Sequence, residues 1–197
     1  MIRFLHALLT ILAFAVLGPA YAACPPDRID AEVTVKHVHD GDTLILVDKR
    51  KLRIIGIDTP ELARDDKPAE ALAIEARNFV RKLLKQHGNT LKLRYDTESH
   101  DRYKRRLAHG FLADERNLSE ILLQNGLATL LMIPPNLWLS DCYAAAEKQA
   151  RRQNKGLWAL PQYQAINVAQ LSPEHAGIRL VRGHAGKIRR ETKADFI

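Results

Sequence analysis

The 197-residue length favours one compact domain with tails over two complete domains, and it leaves room for a sizeable core. The formal charge of +7 draws the chain towards polyanions, but basicity alone does not separate nucleic-acid binding from plain solubility. No internal repeat is evident, and the only biased stretch is the basic C-terminal end.

The chain opens with Met1-Ile2-Arg3, continues through an apolar run from Ala7 to Leu17, and reaches the small residues Ala20 and Ala22. That layout predicts a secretory signal peptide over residues 1–22, a mature chain from Ala23, and export to the periplasm or the medium. The alternative is an uncleaved anchor, for which the run is shorter than the roughly 20 residues a membrane-spanning helix needs. Stable membrane association is therefore not expected. Residues 23–31 form a lead-in.

From Glu32 to Ile57 the pattern reads as three consecutive antiparallel strands, broken at Asp40-Gly41-Asp42 and at Asp48-Lys49-Arg50. Pro68 suits the first turn of a helix with an apolar stripe of Leu72, Ala76, Phe79, Val80 and Leu83, stopped by Gly88. Two more strands follow, Thr90 to Tyr95 and Arg106 to Leu112. Asn117 is placed to cap a short helix ending at Gly126, and Ser140 to cap an alanine-rich one reaching Asn154. The sum is an α+β, mainly β, architecture: a five-stranded OB-type barrel with about three packed helices over residues 32–160. Residues 161–197 form an extension whose last part alternates apolar and basic residues, either a terminal segment packed on the barrel or the start of a second β unit. A barrel of this kind commonly holds nucleic acid, but fold alone does not establish catalysis.

Two clusters carry chemistry. Asp40-Gly41-Asp42-Thr43 and Asp58-Thr59-Pro60-Glu61 both stand at strand ends, and hard divalent cations take oxygen ligands of this type. Each cluster read by itself is also ordinary turn chemistry. The second cluster is basic: Arg53 inside an apolar strand, and Asp101-Arg102-Tyr103-Lys104-Arg105-Arg106-Leu107 leading into another. Guanidinium forks bind phosphate, whereas simple alternation would point Arg53 at solvent, and the pattern leaves both open.

The order Asp-Gly-Asp-Thr, Arg-x-x-x-x-Asp-Thr-Pro-Glu, Asp-x-Tyr-x-Arg-x-Leu-Ala, Gly-Leu-Ala and Gly-Leu-Trp, spread over roughly Val33 to Ala159, resembles the staphylococcal nuclease family. The resemblance implies a calcium-dependent nuclease acting on DNA or RNA, and by the same matching a monomer. It implies one Ca²⁺ held by Asp42, Asp58 and the Thr59 carbonyl, with Asp40 acting through water. Glu61 is then the general base, Arg53 and Arg105 hold the reacting phosphate, and Arg102 and Tyr103 contact a neighbouring one. Lys104 stands where the family commonly has glycine, adding a phosphate-seeking charge and, if the turn needs positive φ, a small strain. Ungapped matching puts Met132 and Pro134 where relatives often carry base-flanking tyrosines, so the base platform is expected to be missing and substrate binding loose; tight, salt-insensitive binding would instead point to another aromatic, Tyr143 or Tyr163. The rival from another class is a catalytically inactive OB module that binds nucleic acid or protein through the same surface.

No zinc-ligand spacing links His37, His39, His100 and His109, which read as strand or loop histidines, while Leu157 and Trp158 read as core. Cys24 and Cys142 are the only cysteines, and export to an oxidising compartment predicts a disulfide between them. The competing lipoprotein reading needs an aliphatic residue three before Cys24, where Tyr21 stands.

Overall fold

Period-two alternation over residues 31–58 and 90–111 becomes a closed barrel in the computed structural model, which describes residues 24–172 and 181–183. The strands are β1 (Ala31–Val38), β2 (Thr43–Leu46), β3 (Lys51–Ile54), β4 (Gly56–Asp58), β5 (Thr90–Arg94) and β6 (Arg106–Phe111). Around the barrel the order is β1-β2-β3-β6-β5. Four of these neighbours pair antiparallel, and β3 with β6 pairs parallel, in the register Leu52 to Arg106 and Arg53 to Leu107. Leu44, Leu46, Leu52, Ile54, Leu91 and Leu93 point inward and are fully buried. Burial of each such side chain contributes about 1.5–3 kcal/mol before conformational entropy is counted. The five-stranded barrel is the architecture expected from the sequence.

The third strand does not run on to Asp58. It ends at Ile54, and β4 leaves the barrel to pair antiparallel with β7 (Thr129–Leu131), so that Asp58 lies opposite Thr129. Gly56 makes the break with φ +91°, where a Cβ would overlap the ring of the fully buried Tyr143. Helix α1 (Ala73–Gln86) also differs from expectation, starting beyond Pro68 after Leu72 at φ 67°. Its buried face is Ala73, Ala76, Val80 and Leu84, while Leu72, Phe79 and Leu83 are only half-buried. The helix ends as expected, with Gly88 at φ 67°.

Asn117 caps α2 (Leu118–Gln124) through a bond from the Glu120 amide, as its position suggested. Ser140 is not a cap. It is the first residue of α3 (Ser140–Arg152), and the cap position is Leu139 with no side-chain bond. Leu157 and Trp158 are buried, as expected. Beyond them Ile166–Asn167 pairs in parallel with Val181–Arg182. The signal segment, and the C-terminal alternation apart from residues 181–183, lie outside the described residues.

Cys24 and Cys142 form a disulfide with Cα atoms 5.9 Å apart. It holds the lead-in against a buried polar network. The Cys24 amide donates to Glu120 Oε2 (2.8 Å), its carbonyl accepts from Asn117 Nδ2 (3.3 Å), and that same amide nitrogen donates to the Tyr143 hydroxyl (3.0 Å). His109 completes the network, its Nδ1 2.8 Å from the Tyr143 hydroxyl and its Nε2 3.4 Å from Asp96. Burial holds the imidazole pKa down at about 4, against the pull of Asp96, so it is neutral at physiological pH. Tyr143, enclosed here, is not available to flank a bound base.

Candidate active site

The turn between β1 and β2 is built by Asp40. Its Oδ1 accepts from the amides of Asp42 (3.0 Å) and Thr43 (2.6 Å), the Asx-type bonding that favours Asp at such turns. Gly41 lets this turn touch the segment after β4, since a Cβ there would overlap the Thr59 side chain. Across that contact, Asp42 Oδ2 accepts from the Thr59 amide (2.8 Å) and hydroxyl (2.9 Å), while Oδ1 accepts from the Thr43 hydroxyl (3.0 Å). The two aspartate clusters are thereby locked into one unit.

Arg53 sits between them. On β3 it pairs with Thr43, and its guanidinium reaches Asp42 Oδ1 at 3.2 Å and Asp58 Oδ1 at 3.0 Å, with a further bond to the Ile54 carbonyl at 2.9 Å. Its side chain is 12% exposed, so it is turned into the cleft and not out to solvent. Arg105 arrives from the turn before β6. Asp101 Oδ1 accepts from the amides of Tyr103 and Arg105 (both 2.9 Å), and its Oδ2 takes the Arg105 Nε at 2.6 Å. Nε is thus held while the outer edge of the guanidinium faces the cleft, its Nη1 3.4 Å from the Thr43 hydroxyl. Burial pushes the Asp101 carboxyl up, but the bonds from Arg105 outweigh it and hold the pKa below the usual range. Asp101 was not singled out as a site residue from the sequence, although it opens the basic motif.

A cleft of about 470 Å³ gathers Asp40, Asp42, Asp58, Glu61, Arg53 and Arg105, with Tyr103, Arg64 and His39 at its edges. Burial raises the carboxyl pKa of Asp42, opposed by Arg53 and reinforced by Asp40. Burial likewise raises those of Asp58 and Glu61, with repulsion from neighbouring carboxylates adding to the effect. Four carboxylates here face four cationic side chains, Lys51, Arg53, Arg64 and Arg105, and a hard cation beside Asp42 and Asp58 would favour the charged form of both aspartates. Among the described residues no three His, Cys, Asp or Glu side chains close on one point. The set expected from the sequence needs fewer, because its third donor is the Thr59 carbonyl.

A second groove, about 760 Å³, adjoins the first and shares Arg53, Tyr103 and Arg105 with it. Arg102 and His100 line it, and Arg102 Nη2 donates to the Tyr103 hydroxyl at 2.8 Å. Lys104 lines neither depression. It holds the turn at φ 61°, a left-handed conformation that costs a lysine on the order of 1 kcal/mol. The groove's apolar wall is Leu107, Leu131 and Ile133. Met132 and Pro134, the positions matched to the relatives' tyrosines, are not among the groove's lining residues. β7 and its continuation alternate, so Leu130 and Met132 pack on the core while Leu131 and Ile133 face the groove. Alternation in that short apolar run was the signal that could have found them.

Comparison with known proteins adds three findings. The model of the family described as staphylococcal nuclease homologue matches residues 51–160. The chain is 34% identical over 146 residues to a thermonuclease of Staphylococcus hyicus, covering 72% of this chain and 84% of that protein. It is 36% identical over 128 residues to a thermonuclease of Staphylococcus intermedius, covering 63% and 74% respectively.

Proposed function

The chain belongs to the family of staphylococcal nuclease homologues, whose thermonuclease members support a nuclease here, and from that premise we propose an exported, calcium-dependent phosphodiesterase that cleaves DNA or RNA and leaves 3′-phosphate ends. The observation that carries the proposal is the shared cleft, where Arg53 and Arg105 face Asp42, Asp58 and Glu61. Ca²⁺ would be held by Asp42, Asp58 and the Thr59 carbonyl, and supplies Lewis-acid stabilisation of the charge that builds on phosphate oxygens. The remaining work falls to the chain's own groups. Glu61 orients a water and takes its proton as the water oxygen bonds to phosphorus and the bond to the 5′-oxygen breaks, the departing oxygen taking up a proton from solvent to become the 5′-hydroxyl. Arg53 and Arg105 bind the equatorial oxygens, where charge grows most. A positioned base contributes about 10²–10⁴-fold, so the arginines and the positioning of the substrate must supply the rest.

Arg102 and Tyr103 hold the next phosphate along the groove. The inactive-module reading is not favoured, because a surface that only binds nucleic acid has no use for a carboxylate like Glu61 facing phosphate. Export is supported by the Cys24–Cys142 disulfide, since such bonds persist in oxidising compartments. The same bond engages the sulfur a lipid anchor would need.

Cleavage of a fluorescent single-stranded oligonucleotide tests the proposal. Activity is expected to vanish in a calcium chelator and return with added Ca²⁺. Undiminished cleavage in the chelator would refute calcium dependence, and binding without cleavage under all metal conditions would favour the inactive module.

The groove bears on affinity. With Leu131 and Ile133 in place of an aromatic platform, oligonucleotides are expected to bind weakly and with strong salt dependence. Ile133→Tyr should tighten binding by about 1–3 kcal/mol, the value of stacking one base, whereas Met132→Tyr should lose stability by disturbing the core. Fluorescence anisotropy titrations at two salt concentrations measure the first effect. No gain from Ile133→Tyr would show that the base lies elsewhere.

A further inference from the structure

The segment between β4 and α1 leaves the cleft at Glu61 and returns at Glu70. It has little packing of its own, for residues 63–71 are all exposed. What holds it is hydrogen bonding at two levels. At the tip, Arg64 and Lys67 exchange amide-to-carbonyl bonds of 3.0 and 2.9 Å around Asp65 at φ 51°. At the base, the Glu70 amide donates to the Glu61 carbonyl (2.9 Å), and the Glu61 amide donates to Glu70 Oε2 (3.0 Å).

Glu70 is an unexpected residue for this place. Its negative charge adds to that of Asp40, Asp42 and Asp58 around Glu61, an arrangement that electrostatics alone disfavours. A carboxylate is nevertheless a strong acceptor for a backbone amide, because the bond is charge-assisted. Glu70 is also tied to the barrel. Its carbonyl accepts from the Ala73 amide (3.2 Å) at the start of α1, whose buried face packs against β1. On the other side, Glu61 follows buried Pro60 and Thr59, and Thr59 is bonded to Asp42. Glu61 is thus fixed from both directions, through Thr59 on one side and Glu70 on the other.

We propose that Glu70 is a positioning residue for Glu61: its side chain clamps the Glu61 backbone so that the Glu61 carboxylate is held over the cleft instead of moving with an exposed loop. The inference rests on the reading of Glu61 as general base. Misplacing a reacting group by an ångström can reduce turnover by as much as about 10²-fold, and that is the effect the clamp prevents.

The test uses Glu70→Ala, Glu70→Gln and Glu61→Gln in the full mature chain at saturating Ca²⁺, with kcat and KM on an oligonucleotide and amide hydrogen exchange at Glu61. Glu70→Ala is expected to lower kcat roughly 10- to 100-fold, with KM within a few-fold, and to speed exchange of the Glu61 amide. Glu70→Gln keeps an acceptor oxygen and should restore most of kcat and of the protection. Glu70→Ala with parent turnover and parent exchange, beside a crippled Glu61→Gln, would overturn the positioning role alone. Equal losses in Glu70→Ala and Glu70→Gln would also overturn it, since charge and not the acceptor would then matter. A parent-like Glu61→Gln would instead remove the general-base reading on which it rests.

Discussion

Arg105→Ala and Arg53→Ala are each expected to slow phosphodiester cleavage about 10²- to 10³-fold, the usual loss when one preorganised donor to a developing oxyanion is removed. The two should part company in stability. Arg105 is anchored by Asp101 at 2.6 Å on a partly exposed turn, and its loss leaves a carboxylate that still accepts two backbone amides. Arg53 is different, because it is the cation between Asp42 and Asp58 and is 12% exposed. Removing it strands the buried Asp42 charge, a change that typically costs about 3–5 kcal/mol when nothing replaces the partner. Added Ca²⁺ should restore part of that stability while leaving cleavage impaired. Thermal unfolding with and without Ca²⁺, beside single-turnover rates, separates the two effects. Rates within a few-fold of the parent for both variants would defeat the assignment of the phosphate site.

The second large effect concerns the disulfide. It spans a sequence separation of 118, for which the chain-entropy account gives about 4–5 kcal/mol as an upper figure. Cys142→Ser also loosens the lead-in, whose Cys24 backbone bonds to Glu120 and Asn117 inside the core. For a domain of this size a loss of that order lowers the melting temperature by roughly 10–20 °C. Neither cysteine lines the cleft, so kcat at temperatures well below the transition should stay near that of the parent. Calorimetry with and without reductant measures the shift, and intact mass should show two alkyl groups only after reduction. A melting temperature indifferent to reductant would contradict a structural bond.

The barrel was legible in the sequence because one face of each strand is buried, and a register slip would put that whole face in water. Strand β4 was not, because Gly56 breaks the strand against Tyr143, a contact from the distant helix α3 that no local pattern announces. The start of α1 was misread for a similar reason. Pro68 is a valid helix-start signal, yet the chain is still returning through Glu70 to Glu61 at that point. In the site, the aspartates and arginines could be named from their motifs and from resemblance. The orientation of Arg53 could not, since alternation allowed both faces until the pairing with Thr43 fixed it beside Asp42. Glu70 carried no signal at all, because its partner is a backbone amide.

The parallel pairing of β3 with β6 sets when the enzyme comes into being. Strands joined this way need a long crossover, and here α1 and β5 intervene between Arg53 and Arg105. The two arginines meet only after that crossover has closed, a slow, non-local step compared with the formation of hairpins or helices. A chain whose barrel is still open therefore does not bring Arg53 and Arg105 together in one cleft.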